Sequence, residues 1–493
     1  MILLKTNVSD YDNDIRSMLM AFFFGEKIVS SEDTAKKIVK HKDDYNFNTE
    51  PVLELSADFE IDKTDIVIYE IISGKKYKTQ ILGDYRDRKV YRNSFKLAIY
   101  RLLCDMTDRK LAWGDLTGVR PTKIALKSFE SGRNIDEIID NYVKTYDVSR
   151  RKAELATQVA RKELELVKDV DLENSYCLYV GIPFCPSRCL YCSFTSYPIV
   201  QSRDKVDIYL DRLCEEISLV ADRYRDKKLV SIYIGGGTPT SLNHLQLDRL
   251  LTHIDKTFLF DNLREYTIEA GRPDSITYEK LHVMKAHSIT RISINPQTMN
   301  DKTLKTIGRA HTAVQVEEAF LLSREKGFDN INMDIIAGLP GENLDGMRYT
   351  LDKIKAMKPD SLTVHSLAIK RAANLNERMD EYKAEINHDM DAMLDMVSSA
   401  ATELGMAPYY LYRQKNIGGN LENVGYSTPG KECIYNVLIM EELTDIIAVG
   451  AGSSSKYVIR DENDNIIRID RSENCKSIDD YIDRFDEMID RKR

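Results

Sequence analysis

The sequence contains no apolar run near the ~20 residues that a membrane-spanning helix requires; its densest hydrophobic patch, Met18 to Phe24, falls far short. A chain threaded through a bilayer as helices is excluded on that ground. Internal repeats and low-complexity tracts are also missing, which rules out repeat arrays and disordered linkers. Positive charge is in deficit: 70 Lys and Arg against 79 Asp and Glu leave a net charge of −9. That balance argues against bulk attraction to nucleic acid, while leaving room for a local basic pocket. The N-terminal MILLKTNVSDYDND turns acidic and polar too soon for a secretory segment, so the cytoplasm is the expected compartment and the thiols are expected to stay reduced. What is present is bulk: 493 residues, 43% hydrophobic and 30% charged, too many for one hydrophobic core and enough for two or three domains.

Disulfides being unexpected, the eight cysteines need another explanation. Five (Cys104, Cys177, Cys214, Cys433, Cys475) are scattered, whereas Cys185, Cys189 and Cys192 crowd into GIPFCPSRCLYCSF with the spacing C-x3-C-x2-C. A tight trio in a reducing compartment points to metal or redox chemistry. Structural zinc takes four protein ligands, usually as two separated pairs; a knot completed by Cys177 or a distant histidine is the alternative reading. A cubane of four irons also takes four ligands, so three thiolates on one loop leave one iron open to an exchangeable ligand.

Residues 1 to about 170 read as an α+β region. DIVIYEIISGKKYKTQIL (65–82) has strand character and RNSFKLAIYRLLCDM (92–106) helical periodicity. Arg88, Arg92 and Lys96 fall four apart, so on a helix they would share one face, which reads as solvated. Trp113, the single tryptophan, lies in a structured loop leading into a helix, and residues 149–170 form a charged helical connector. From about 174 the pattern becomes strand, loop, helix, repeated, with strands expected at 176–182, 229–236, 265–270, 289–294, 330–338 and 361–368. Short β-rich runs between amphipathic helices imply a parallel sheet buried under helices, and six such units imply a partial (β/α)6 TIM-like barrel over residues 174–375. Chemistry in such barrels gathers at the C-terminal strand ends. The cysteine loop, the glycines, Glu269, Gln297 and Asp334 all fall there. Residues 376–493 form a mixed α/β C-terminal region, expected to cover the substrate.

The segment LYVGIPFCPSRCLYCSF resembles the cluster loop of radical S-adenosylmethionine (SAM) enzymes, and IYIGGGTPTSL (232–242) resembles their glycine motif. Gly235, Gly236 and Gly237 let backbone approach a ligand where a Cβ would intrude. The match narrows to the coproporphyrinogen III dehydrogenase family: Tyr179 stands six residues before the first cysteine, Tyr191 just before the third, and ISINPQ with Gln297, IGRAHT with Arg309 and INMDIIAGLPGE with Asp334 follow in order. The extended N-terminal region is most similar to the HemZ-type branch. The resemblance implies a [4Fe–4S] cluster on Cys185, Cys189 and Cys192, which with Tyr179 form the catalytic set. It also implies that SAM is held by Tyr179, Tyr191, Gly235, Gly236, Gly237, Thr238, Glu269, Gln297, Arg309 and Asp334.

By the same resemblance the reaction is oxidative decarboxylation of coproporphyrinogen III, fed by a flavodoxin- or ferredoxin-type electron donor. Four propionates need cationic partners, for which Lys370 and Arg371 (IKRAAN) and Arg413 and Lys415 (YRQKN) are the candidates. Two positions depart from the dehydrogenase pattern: Phe194 stands where a fourth cysteine is expected, and Gly181 where a histidine is. Phe194 is similar instead to HemW-type haem chaperones and to radical enzymes that open the haem ring. A tetrapyrrole-binding or transfer protein and an enzyme acting on haem itself are therefore the alternatives.

Overall fold

In a computed structural model, residues 1–30, 51–370, 372–382, 389–414 and 417–492 are described. They divide into two compact units: Met1–Thr157 with Arg413–Glu422, and Gln158–Tyr412 with Asn423–Arg493.

The first unit is built on a five-stranded sheet in the order Ile28–Ser30, Ile2–Thr6, Leu53–Phe59, Lys63–Glu70, Lys76–Leu82. Its first three strands are parallel and the rest form an antiparallel meander. Buried and open positions alternate along Leu53–Phe59, as a sheet with one covered face requires. Helices Asp12–Phe22 and Arg88–Thr107 supply the cover, packing Ile15, Leu19, Phe95 and Leu103 against Leu4, Leu55 and Ile68. Of the row Arg88, Arg92, Lys96, the two arginines are exposed as expected, while Lys96 departs from the solvated face. Arg92 binds the buried Asp14 in a bidentate pair at 2.6–3.1 Å, and Lys96 is only 9% exposed.

The second unit carries an eleven-stranded sheet among the described residues. Six strands, Ser175–Ile182, Lys228–Gly236, Glu265–Glu269, Arg291–Ser293, Ile331–Ala337 and Ser361–Ser366, are adjacent in chain order and parallel throughout. These are the expected six, alternating with helices such as His244–Thr257 and Ala313–Glu325, each begun by a capping box at Asn243 and Thr312. The architecture is a partial (β/α)6 barrel of TIM type. The C-terminal region extends the same sheet at both edges. Asp445–Val449 lies parallel to the first strand and carries the hairpin Ser454–Arg460/Ile466–Glu473, and Glu422–Ser427 lies antiparallel to the sixth. Among the described residues no helix is long and apolar enough to cross a membrane.

Candidate active site

The strand Ser175–Ile182 runs straight into the cysteine loop, whose opening Phe184–Cys185 pairs with Tyr197–Pro198. Loop contacts fix the rest: Leu190 donates to the Ile307 carbonyl (3.0 Å), Arg188 to that of Ala372 (2.6 Å), and Leu375 donates to Leu190 (2.8 Å). The three thiols are free. Cys189 and Cys192 both lie near enough to Cys185 to act on its thiol electrostatically. Three thiols on one loop suit a polynuclear cluster, which offers a separate iron atom to each thiolate.

Burial pushes the Cys185 thiol up to about 11, against the pull of the Thr238 hydroxyl 3.4 Å away. Burial also raises Cys192, opposed by the Phe194 backbone N–H. Thiols so buried are not spontaneous anions; iron binding is what would remove their protons. Arg272, 3% exposed, directs Nη1 at Cys189 Sγ from 3.8 Å.

The glycine segment is laced to this loop. Gly237 donates to the Ile182 carbonyl (2.8 Å) and Thr238 to that of Phe184 (2.7 Å), the residue before Cys185. A Cβ on Gly237 would stand 2.6 Å from the Phe184 oxygen and 2.8 Å from the Ile182 oxygen, so only glycine fits. Gly236 has φ +101° and faces the Tyr179 hydroxyl, while Gly235 abuts the Glu269 carboxyl.

Behind the glycines stand three tyrosine rings, Tyr179, Tyr233 and Tyr435, with Tyr233 and Tyr435 stacked at 4.5 Å. The Tyr233 hydroxyl donates to Glu269 Oε1 at 2.6 Å. Burial pushes Glu269 up to about 7; the Tyr233 phenol pulls against it and Asp334 adds to it. Burial pushes Asp334 upward as well, but His365 Nε2 at 3.7 Å and Asn332 Nδ2 at 2.6 Å outweigh it and hold that carboxyl below its ordinary range. Two carboxylates on one rim are thereby driven to opposite protonation behaviour.

Gln297 is held to the fifth strand by bonds to the Asp334 carbonyl and from the Ile336 N–H. Its φ of +67° is rare for a residue with a Cβ, and its Oε1 is buried with no donor. The buried Asn295 Oδ1 and Arg309 Nε are likewise unmatched. Orphaned groups of this kind are costly inside a protein, and a polar ligand at the rim would satisfy them. Arg309 Nη1 donates to the carbonyls of Gly271 and Asn295 and Nη2 to the Tyr191 hydroxyl at 3.1 Å, so Arg309 and Tyr191 act as one unit.

Of the four expected substrate cations, Lys370 lies beside the cysteine loop, its ammonium 5.6 Å from the centre of the exposed Phe194 ring. Burial lowers its pKa, and Cys192 counteracts. Arg371 and Lys415 fall outside the described residues. Arg413 requires correction: it is 3% exposed within the first unit, donates to the carbonyls of Leu116 and Gly118, and lies over the Trp113 ring. Its guanidinium is committed to backbone acceptors and serves the fold. Other rim residues carry no motif signal. Tyr233 and His365 were reachable from strand alternation, since Ser231, Tyr233 and Gly235 share a face, as do Thr363 and His365. Tyr435 and Arg272 arrive from a helix and a loop, where alternation is silent.

The profile of the Radical SAM superfamily matches residues 179–354. The oxygen-independent coproporphyrinogen-III oxidase-like protein HemZ of Bacillus subtilis is 40% identical over 408 residues, which cover 82% of this chain and 81% of HemZ. The chain belongs to the HemZ-type branch of the radical SAM superfamily. It is a radical SAM enzyme, and its cofactors are a [4Fe–4S] cluster and SAM. The heme chaperone HemW of Lactococcus lactis is 31% identical over 57% of this chain and 70% of its own. Among solved structures, the radical SAM enzyme coproporphyrinogen III oxidase (HemN) of Escherichia coli shares the fold, with a TM-score of 0.52, 24% identity and coverage of 66% and 72% of the two chains.

Proposed function

We propose that the chain is an oxygen-independent oxidative decarboxylase of coproporphyrinogen III, converting two propionates to vinyl groups and yielding protoporphyrinogen IX. The observation that carries this reading is the extent of kinship with the oxidase-like HemZ, 40% identity over 81% of that protein. Bound together, cluster and SAM supply one-electron cleavage of a sulfonium and hydrogen-atom abstraction from unactivated carbon.

The chain's own residues bind and aim these groups. Cys185, Cys189 and Cys192 are the iron ligands, leaving one iron for SAM. The backbone of Gly235, Gly236 and Gly237 with Thr238 admits the methionyl end. Glu269 and Asp334 suit ribose hydroxyls or an ammonium, the free acceptor of Gln297 a donor, and the Arg309–Tyr191 unit a carboxylate. Tyr179 closes the wall beside Gly236. Lys370, beside the cysteine loop, is a propionate partner, and the C-terminal residues cover the macrocycle. Each vinyl group formed releases one hydrogen atom, one CO2 and one electron, so turnover needs an external one-electron acceptor. A flavodoxin- or ferredoxin-type protein supplies the reducing electrons.

A second reading, haem binding and transfer, is favoured by Phe194 in place of the fourth cysteine and by 31% identity to HemW over 70% of that protein. The two separate in one assay: 5′-deoxyadenosine release by anaerobically reconstituted protein under strong reductant, with and without coproporphyrinogen III, while protoporphyrinogen is followed by mass. Substrate-stimulated release with stepwise loss of two CO2 supports the decarboxylase. Tight haem binding with release indifferent to coproporphyrinogen would sink it in favour of the chaperone reading, and methylated or ring-opened haem in favour of an enzyme acting on haem.

A further inference from the structure

Arg272 belongs to none of the motifs described above. It follows the third barrel strand, at the start of the turn Pro273–Ser275. Only 3% of it is exposed, a costly state for a guanidinium without a partner. Asp274 provides one: Nε and Nη2 donate to its two carboxylate oxygens at 3.0 and 2.9 Å, a bidentate clamp that leaves Nη1 free to point away. Nη1 points at the cysteine loop, 3.1 Å from Ser187 Oγ and 3.8 Å from Cys189 Sγ.

We propose that Arg272, clamped by Asp274 and aimed at Cys189, is a positioning residue that raises the reduction potential of the cluster on the cysteine loop. The inference rests on the assignment of that cluster to Cys185, Cys189 and Cys192.

The physical case has three parts. Adding one electron to a cluster held by three thiolates makes its charge more negative by one, so a fixed positive charge beside a ligand sulfur stabilises the reduced form more than the oxidised one. An arginine cannot lose its proton in a protein, so this charge does not lapse with pH. A charged N–H directed at a thiolate sulfur is also among the recognised controls of iron–sulfur potentials. Asp274 tempers the effect, because it brings a negative charge to the same place. The groups facing the pair are Arg309, whose charge reaches both Asp274 and Cys189, and His311, whose Nδ1 is 3.9 Å from Asp274 and which burial keeps neutral.

The two members of the pair therefore predict shifts of opposite sign. The test is an EPR-monitored dithionite titration of the anaerobically reconstituted full chain, with iron and acid-labile sulfide measured on each sample. In Arg272→Gln the ratio of reduced to oxidised cluster at a set potential should fall about tenfold, ~59 mV for one electron. Asp274→Asn should shift it the other way, and Arg272→Lys, which keeps the charge, should stay near the parent. Variants with full iron and unmoved midpoints, or midpoints that move in the same direction, overturn the inference and leave the cluster assignment standing. Loss of iron in Arg272→Lys equal to that in Arg272→Gln also overturns it, since charge would then not be what matters. A parent chain that takes up no iron overturns the assignment and the inference together.

Discussion

Glu269 and Asp334 show how neighbouring side chains of one chemical type acquire different roles from their partners. Asp334 has a histidine and an amide donor; Glu269 has one phenol and the repulsion of Asp334. A carboxyl whose pKa is about 7 when folded, against 4.5 ordinarily, holds its proton longer in the folded chain than in the unfolded one. Its contribution to stability is complete below pH ~4.5 and is given up as pH rises through 7. In the cofactor-free protein, thermal or urea unfolding followed from pH 5 to 8 should show the parent losing about 2 kcal/mol relative to Glu269→Gln, allowing for partial solvent access. Tyr233→Phe removes the donor that favours the anion, so the decline should begin at the same pH and extend to higher pH. The identity of both carboxylates was legible as strand-end acids, but their divergence was not, because Tyr233 and His365 meet them only across strands; Asn332, two residues before Asp334 on its own strand, is the one partner within reach of local pattern.

At the scale of elements, the pairing of glycine segment and cysteine loop ties two sequence motifs into one object. Gly237 and Thr238 extend the hydrogen bonding of adjacent strands to Ile182 and Phe184, so the second strand sets where Cys185 sits. Gly237→Ala forces its methyl group against two backbone carbonyls, which cannot rotate aside as a side chain would. Overpacking of this kind costs about 1–3 kcal/mol, and here it falls on the cysteine loop. Iron bound per chain after reconstitution should drop clearly below the parent level. Gly118→Ala, whose Cβ meets nothing within 4 Å, should bind iron as the parent does. The six strands were readable in advance because both faces of a parallel sheet are buried and each strand becomes a short apolar run. Asp445–Val449 satisfies the same rule as DIIAV. Its membership of this sheet was not readable, since nothing local says that a segment more than two hundred residues later pairs with Ser175–Ile182.

For the whole molecule, chain order and compact units do not coincide. Residues 413–422 belong with the first unit, where Glu422 accepts from Trp113 Nε1 at 2.6 Å and from Lys152 Nζ at 2.5 Å. Lys152 and Glu422 side chains are 3% and 1% exposed, and breaking a buried pair by removing one partner costs roughly 3–5 kcal/mol. A fragment of residues 1–170 should therefore unfold at clearly lower urea concentration than the same unit in the full chain, and Glu422→Ala in the full chain should reproduce much of that loss. Tryptophan fluorescence, which reports the single Trp113, follows both. The sequence by itself determined the kind of chemistry and the kind of barrel, because ligand spacing, glycine runs and buried-strand periodicity are local properties written in consecutive residues. Only the tertiary structure decided that Arg413 serves the fold, that Lys96 is buried, that Tyr233 steadies Glu269 and that Arg272 faces Cys189. Each of those outcomes is a meeting of residues distant in the chain, and the energies of burial and pairing that settle them exist only once the elements have packed.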